Sequence, residues 1–180
     1  MASEQYNRLH PEDISRNATR MSGWRALGPN SVDEITGHYS AGIGRIEEVY
    51  ADPANMSKLY LGSRSGGLWR SLDEGATWQG GATDFLPGSG VNTFAVDPTN
   101  TDHLLVNVRN SRNGYSYGVY ESTDGGASLT ETAFNPVNLG EGGLGSNFSI
   151  GVIAYHPTIP NLVLVGTNKG LYKSTDNLAT

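Results

Sequence analysis

Short runs of apolar residues, separated by turns rich in Gly, Pro, Asn and Asp, recur along this chain. Each run has the length of a β-strand, and the first run of each set ends at an X-Pro pair, where proline cannot donate to a sheet ladder. The runs form three successive sets that begin at residues 46–50, 93–96 and 152–155 and continue at 58–62, 103–107 and 161–166. The pattern predicts an all-β chain of short antiparallel strands.

The three sets are copies of one repeat. Each closes on a Ser-x-Asp turn, and Asp73, Asp124 and Asp176 follow one another at intervals of 51 and 52 residues. Four antiparallel strands in about 50 residues are typical of a β-propeller blade, and the first two units show a fourth run after the turn. We therefore predict a partial β-propeller of four-stranded antiparallel blades within residues 30–180. The predicted blades span about 44–89, 90–149 and 150–180, the last of them incomplete.

The turn Ser-Leu-Asp-Glu-Gly-Ala-Thr-Trp at residues 71–78 can lock a hairpin between the third and fourth strands. The Asp73 carboxylate can accept N–H bonds from its own turn, Gly75 can supply a positive φ, and Trp78 can bury its ring between blades. A catalytic group is needed once per site, so a carboxylate that recurs in every blade favours a structural role. The residues predicted to have this role are Ser71, Asp73, Gly75, Trp78, Ser122, Asp124, Gly126, Ser174 and Asp176.

This turn resembles the Asp-box (BNR) repeat of sialidases, sortilin-type receptors, xyloglucanases and photosystem-assembly propellers. The copy at 71–78 matches throughout, whereas Ser128 and Leu129 stand where Thr and Trp are usual, and Asn177 and Leu178 alter the third copy. The segment from Leu59 also resembles exported bacterial surface proteins, including cargo of the type IX secretion system. The resemblance covers about residues 24–180 and implies a propeller at an extracellular or cell-surface location. It specifies architecture better than activity.

Ligand recognition is predicted on the face opposite the Ser-Asp turns, where the loops between second and third strands lie and where the resembling families bind ligands. These loops are 63–66, 109–117 and 167–169, and each carries a cation although the chain is acidic. Arginine offers a planar donor fork for carboxylates or sugar hydroxyls, and tyrosine offers a stacking face. The candidate ligand-binding residues are Arg64, Arg109, Arg112, Tyr115, Tyr117 and Lys169.

Composition limits the partners. A net charge of −6 argues against a general nucleic-acid binder, and no run approaches the ~18 apolar residues of a membrane span. The absence of cysteine excludes disulfides and thiolate metal sites, and the scattered histidines give no metal or cofactor motif. The expected partner is a glycan or a protein.

Evidence for an enzyme is weaker than evidence for a binding surface. Xyloglucanase-like propellers carry a catalytic Asp in a Thr-Asp-Ile-Gly-Gly-like context, and alignment on Gly66 and Gly67 puts Arg64 at that position. Glycoside hydrolysis needs two carboxyls about 5–9.5 Å apart, and the sequence fixes no such pair, although Asp84 with Glu141 or Glu121 is one option. Arginines and a tyrosine also supply the residue types of a sialidase without its local motifs.

We therefore expect a non-catalytic, exported propeller that binds a glycan or protein. The alternatives are a glycoside hydrolase whose carboxylates lie partly outside this segment, and an assembly scaffold of the photosystem-factor type. Residues 1–22 are predicted to be a polar leader, and 23–29 a closing strand. The third blade is then completed either by further chain or by self-association through open blade edges.

Overall fold

The computed structural model describes residues 27–28, 44–142 and 147–180. Residues Ile43–Thr180 form one compact unit. Within its described part, every regular element is a β-strand, so the all-β prediction is confirmed. The strands are β1 (Ile46–Ala51), β2 (Leu59–Ser63), β3 (Gly67–Ser71), β4 (Gly90–Asp97), β5 (Asn100–Arg109), β6 (Ser116–Ser122), β7 (Thr130–Glu131), β8 (Ile150–Tyr155), β9 (Val163–Thr167) and β10 (Gly170–Ser174).

These strands form three sheets, each from consecutive segments of the chain. The orders are β1-β2-β3, β4-β5-β6-β7 and β8-β9-β10, and every pairing is antiparallel. Sequential antiparallel pairing is the up-and-down arrangement of a propeller blade. The sheets correspond to the three repeats in the sequence.

The fourth strand is shorter than the repeat predicts. In the middle sheet it is β7, only two residues long, and in the first sheet a single bridge joins Arg70 to Gln79. Gly80 and Gly81 follow that bridge, and glycine lacks a side chain to pack on a strand. No described residue pairs with the outer edge of β10.

The core lies between the sheets, in two clusters divided by the alternation of β5. Leu104 and Val106 pack toward the first sheet with Tyr60 and Leu68, whereas Leu105 belongs to the cluster shared with the third sheet. Successive side chains of a strand point to opposite faces, so a sheet covered on both sides needs apolar residues at every position. The run of buried residues in β5 follows from its place in the middle blade.

The outer faces of the first and third sheets carry exposed apolar side chains. Val49 is 68% exposed on β1, and Leu171 is 72% exposed on β10. In a propeller, such faces are covered by neighbouring blades. Completion by further chain or by self-association stays a prediction.

The predicted leader, 1–22, and closing strand, 23–29, lie outside the described residues, except for Leu27 and Gly28. Neither of these two residues is in a strand.

Candidate functional site

Three hairpin loops and three strand starts share the candidate ligand face of the described unit. The β2–β3 hairpin begins beside the start of β1, because Ile46 pairs with Ser63. The β5–β6 hairpin begins beside the start of β4, because Gly90 pairs with Arg109. Antiparallel pairing therefore puts strand starts and hairpin loops on one edge of each sheet.

Three arginines from different strand ends meet at this edge, and we call Arg45, Arg64 and Arg109 the arginine cluster. The Arg64 N–H donates to the Arg45 carbonyl oxygen at 3.0 Å. Gly90 fits between the other two: a side chain there would collide with the Arg64 carbonyl oxygen and lie 3.2 Å from the Arg109 Cγ. Glycine at this position lets the first two blades approach closely at the cluster.

Arg109 is the most enclosed member of the cluster. Its Nε is buried and has no hydrogen-bond partner among the described residues. Burial, then the nearby charges of Arg64 and Arg45, lowers the pKa of Arg109, while Glu47 opposes the shift. The guanidinium stays charged at neutral pH, because arginine begins from a pKa above 12.

The cluster contains more positive than negative charge. Glu47 pairs with Arg45, whose Nη2 lies 2.7 Å and whose Nε lies 3.2 Å from Glu47 Oε1. The Arg64 and Arg109 side chains form no ion pair with any described residue. The described residues therefore leave two guanidinium groups at this edge without a carboxylate partner.

The remaining predicted ligand residues have different surroundings. The ring of Tyr117 packs against Gly88, and its hydroxyl accepts a 3.2 Å bond from Asn110 Nδ2. Arg112 is exposed at the tip of the hairpin, and Tyr115 is partly buried. Lys169 lies in the third blade, with Nζ 3.7 Å from Glu141 Oε2. The structure thus brings Arg64 and Arg109 together and leaves Lys169 engaged elsewhere.

A series of side-chain hydrogen bonds, two of whose residues are fully buried, supports the end of β5. Ser116 Oγ donates to Asn107 Oδ1 at 2.5 Å, and Asn107 Nδ2 donates to Asn92 Oδ1 at 2.6 Å. Asn92 in turn donates to the Ile150 carbonyl of the next blade at 2.9 Å. Asn107 and Ser116 are fully buried, so their bonds hold the strand that leads into Arg109.

Sequence analysis missed Arg45. A signal for it exists, because Arg45 immediately precedes the first strand of a blade, and antiparallel pairing puts that start beside the end of β2. The prediction considered only the hairpin loops. The strand starts, which lie on the same face and include Arg45, were left out. The pairing of Arg45 with Glu47 has no comparable signal, since both side chains are long and flexible.

The Ser-Asp turns have the same geometry in each repeat. Asp73 Oδ1 accepts from Ser71 Oγ and from the Thr77 N–H, both at 2.8 Å, and Oδ2 accepts from Thr77 Oγ1 at 2.6 Å. Ser71 Oγ accepts the Gly75 N–H at 2.8 Å, and Gly75 has a φ of 82°. These contacts fasten both ends of the turn, while Trp78 is only partly buried. Their structural role stays a prediction.

The second turn predicts a pH dependence of stability. Desolvation raises the pKa of Asp124. Hydrogen bonds donated by the Ser128 hydroxyl, the Ser128 N–H and the Ser122 hydroxyl outweigh it and lower this pKa to about 2. A depressed folded-state pKa contributes stability above about pH 4, and that contribution disappears as pH falls toward 2. We expect Asp124→Asn to reduce the difference in urea midpoint between about pH 5 and pH 2.5.

Asp84→Asn is the control for this experiment, because the Asp84 carboxylate accepts no hydrogen bond from a described residue. It should retain the acid dependence of the parent chain. Equal acid dependence in the Asp124→Asn variant and the parent would show that the turn carboxylate does not set this part of the stability.

A second polar cluster joins the middle and third blades on the side of the Ser-Asp turns. His103 Nε2 lies 2.6 Å from Glu121 Oε1, and its Nδ1 lies 3.4 Å from Asp97 Oδ2. Asn177 Nδ2 donates to Glu121 Oε1 at 2.9 Å, and Asn177 Oδ1 accepts from the Tyr155 hydroxyl at 2.8 Å. The His103 side chain is only 14% exposed within this cluster.

Both residues suggested as partners of Asp84 in a hydrolytic pair are engaged in other contacts. Glu121 belongs to the His103 cluster, and Glu141 contacts Lys169 and the Tyr172 hydroxyl. In the part of the chain that is described, no group of three His, Asp or Glu residues could hold a metal ion. The same part contains no helix that is long and apolar enough to cross a membrane.

Comparisons with solved structures show the fold class of this chain. No protein-family model matches this chain. The chain resembles an ancestral GH74 enzyme with a TM-score of 0.59 and 20% identity, over 76% of this chain and 18% of that one. It also resembles YCF48 bound to D1 peptide, with a TM-score of 0.54 and 15% identity, over 84% of this chain and 45% of that one. The chain is a segment of a β-propeller, as predicted.

More similar sequences come from xyloglucanases. A xyloglucanase from Paenibacillus sp is 30% identical over 70% of this chain and 15% of that protein. A probable oligoxyloglucan-reducing end-specific xyloglucanase from Neosartorya fischeri is 30% identical over 77% of this chain and 17% of that protein. The GH74 xyloglucanase structure from Xanthomonas campestris gives a TM-score of 0.56 at 25% identity, over 76% of this chain and 20% of that one. This chain spans between 15% and 20% of the length of these xyloglucanases.

Proposed function

We propose that this chain is part of a xyloglucanase-type glycoside hydrolase and that its loop face forms part of the glucan-binding surface. The observation that supports the proposal is the 30% identity to two xyloglucanases over 70% and 77% of the chain. It favours the hydrolase alternative over the non-catalytic binder expected from the residues. A polysaccharide substrate would also agree with the extracellular location that the resemblance implies.

The described loop face contributes binding in this proposal, and the catalytic carboxylates come from residues outside the described part. Hydrolysis requires an acid and a second carboxylate about 5–9.5 Å apart. At the β2–β3 hairpin the charged side chain is Arg64, and the nearby Glu47 is paired with Arg45. A guanidinium can donate to sugar hydroxyls but cannot act as nucleophile or base at neutral pH.

A second candidate is a propeller that binds a glycan or protein without hydrolysing it. It is favoured by Arg64 at the position where the resembling hydrolases carry an Asp, because a cation there removes one of the two carboxyl groups. An assembly scaffold that holds a protein segment is the third candidate. The YCF48 structure supports only the fold of that candidate, since its identity to this chain is 15%.

The test uses the full-length natural protein that contains this chain, with xyloglucan as the polysaccharide. We expect binding in calorimetry and release of reducing ends. Arg64→Ala should lower kcat/KM about tenfold, because a hydrogen bond from a charged donor contributes about 1.5–3 kcal/mol. Lys173→Ala, an exposed cation on β10 outside the loop face, is the control and should have no effect.

The outcomes separate the candidates. Xyloglucan binding without reducing-end release would favour the non-catalytic binder and contradict the hydrolase. Neither binding nor release would contradict both glycan candidates and leave the scaffold.

A further inference from the structure

The arginine cluster presents only donors toward a ligand. Arg64 and Arg109 have no carboxylate partner among the described residues, and the one nearby carboxylate, Glu47, is already bonded to Arg45. A sugar hydroxyl both donates and accepts, so sites for neutral sugars pair it with donors and acceptors. A donor-only site with unneutralised guanidinium groups instead favours an anionic acceptor.

The buried Nε of Arg109 is a second, independent indication. The Arg109 Nε–H is shielded from solvent and bonds to no described residue, an arrangement that is costly in a folded protein. The Arg109 guanidinium also lies against Gly114, where a side chain would collide with Nη2. This contact restricts where the guanidinium can move without supplying an acceptor.

The backbone that carries the cluster is held by bonds within the described residues. The Arg64 N–H bonds to the Arg45 carbonyl oxygen, and the β5 strand that ends at Arg109 is held by the buried Asn107–Ser116 bond. Backbone that is already in place does not have to be ordered on binding. An anionic ligand would also relieve the charge repulsion among the arginines.

We propose that the arginine cluster is a subsite for the carboxylate of a uronic acid residue on the glycan. This inference rests on the proposed glycan-binding face and goes beyond the proposed substrate, because xyloglucan is neutral and this subsite takes an acidic sugar. Arg64 and Arg109 donate to the two carboxylate oxygens, and Arg45 adds positive charge at the rim. The acidic net charge of the chain, −6, makes this local excess of cations a specific feature of the site.

The test compares two acidic oligosaccharides, one based on galacturonate and one on glucuronate, with their methyl esters. The full-length protein is titrated with each by calorimetry, and neutral xyloglucan oligosaccharide is titrated in parallel. We expect at least one acid to bind about tenfold more tightly than its ester, and the preference to weaken as salt is raised. Arg64→Gln should abolish the preference for the acid.

Lys173→Gln is the control, because it removes one positive charge from an exposed position on β10, outside the loop face. It should leave the preference intact, and melting curves of both variants should match the parent protein. Equal binding of acid and ester, or equal loss in the Arg64 and Lys173 variants, would overturn the carboxylate subsite.

Two further outcomes keep this inference distinct from the proposed function. Binding of neutral xyloglucan without an acid preference would overturn the subsite and retain the glucan-binding surface. The last probe is an acetylated tripeptide with a free carboxyl end, compared with its amide. Peptide binding that depends on Arg64, without uronate binding, would overturn the uronate assignment in favour of a protein ligand.

Discussion

Replacing Phe148 by alanine should lower the free energy of unfolding by about 3–5 kcal/mol, the range for a fully buried phenylalanine. Phe148 is 0% exposed and belongs to the core cluster between the middle and third blades. Its ring lies 6.3 Å from that of Phe134, and its carbonyl oxygen accepts the Ser116 N–H at 2.8 Å. The truncation leaves the backbone bond and opens a cavity between the blades. Urea unfolding at neutral pH measures the loss.

Phe85→Ala is the matched control. Phe85 lies in the connector between the first two blades and is 99% exposed, so the same truncation removes almost no buried surface. It should change stability by less than about 0.5 kcal/mol. If the two variants unfold at the same urea concentration, the cluster between the middle and third blades does not stabilise the unit.

The repeats predicted much of the fold because each strand is a local feature of the sequence. The 51-residue interval of the aspartates located the third strands, and the X-Pro pairs located the ends of β1, β4 and β8. The role of Phe148 could not be predicted in this way. It lies in a connector, and the core cluster to which it belongs includes Val163 and Val165 from a later strand.

The fourth strands show the limit of the repeat pattern in another way. Apolar residues follow the turns, but Leu129 packs partly against the core between the first two blades. Only Thr130 and Glu131 then pair with β6. Whether a residue after the turn packs on the core or pairs with β6 depends on the neighbouring blade. The sequence of one repeat carries no information about that neighbour.

The candidate site was predicted in part for similar reasons. Hairpin position placed Arg64 and Arg109 on one face of the chain, where the structure has them, and their role in binding stays a prediction. They did not distinguish Tyr117, whose ring contacts Gly88 of the connector, from a tyrosine free to stack on a ligand. The charge balance of the cluster also depends on Arg45 and Glu47, which enter only through the pairing of β1 with β2.

Adding one methyl group at Gly88 should disturb the structure and the candidate site together. A Cβ there would lie 2.5 Å from the Arg109 carbonyl oxygen and 2.6 Å from Tyr117 Cδ2, so backbone or ring must move. We expect Gly88→Ala to destabilise the chain by about 1–3 kcal/mol, as overpacking does, and to weaken glycan binding by displacing Arg109. Gly151→Ala is the control, because its nearest contact would be an ordinary 3.8 Å to the Gly166 carbonyl oxygen.

A Gly88 variant that unfolds at the parent urea midpoint, but has lost glycan binding, would separate the connector's role at the site from its role in stability. A variant unchanged in both would show that the connector yields without moving the arginine.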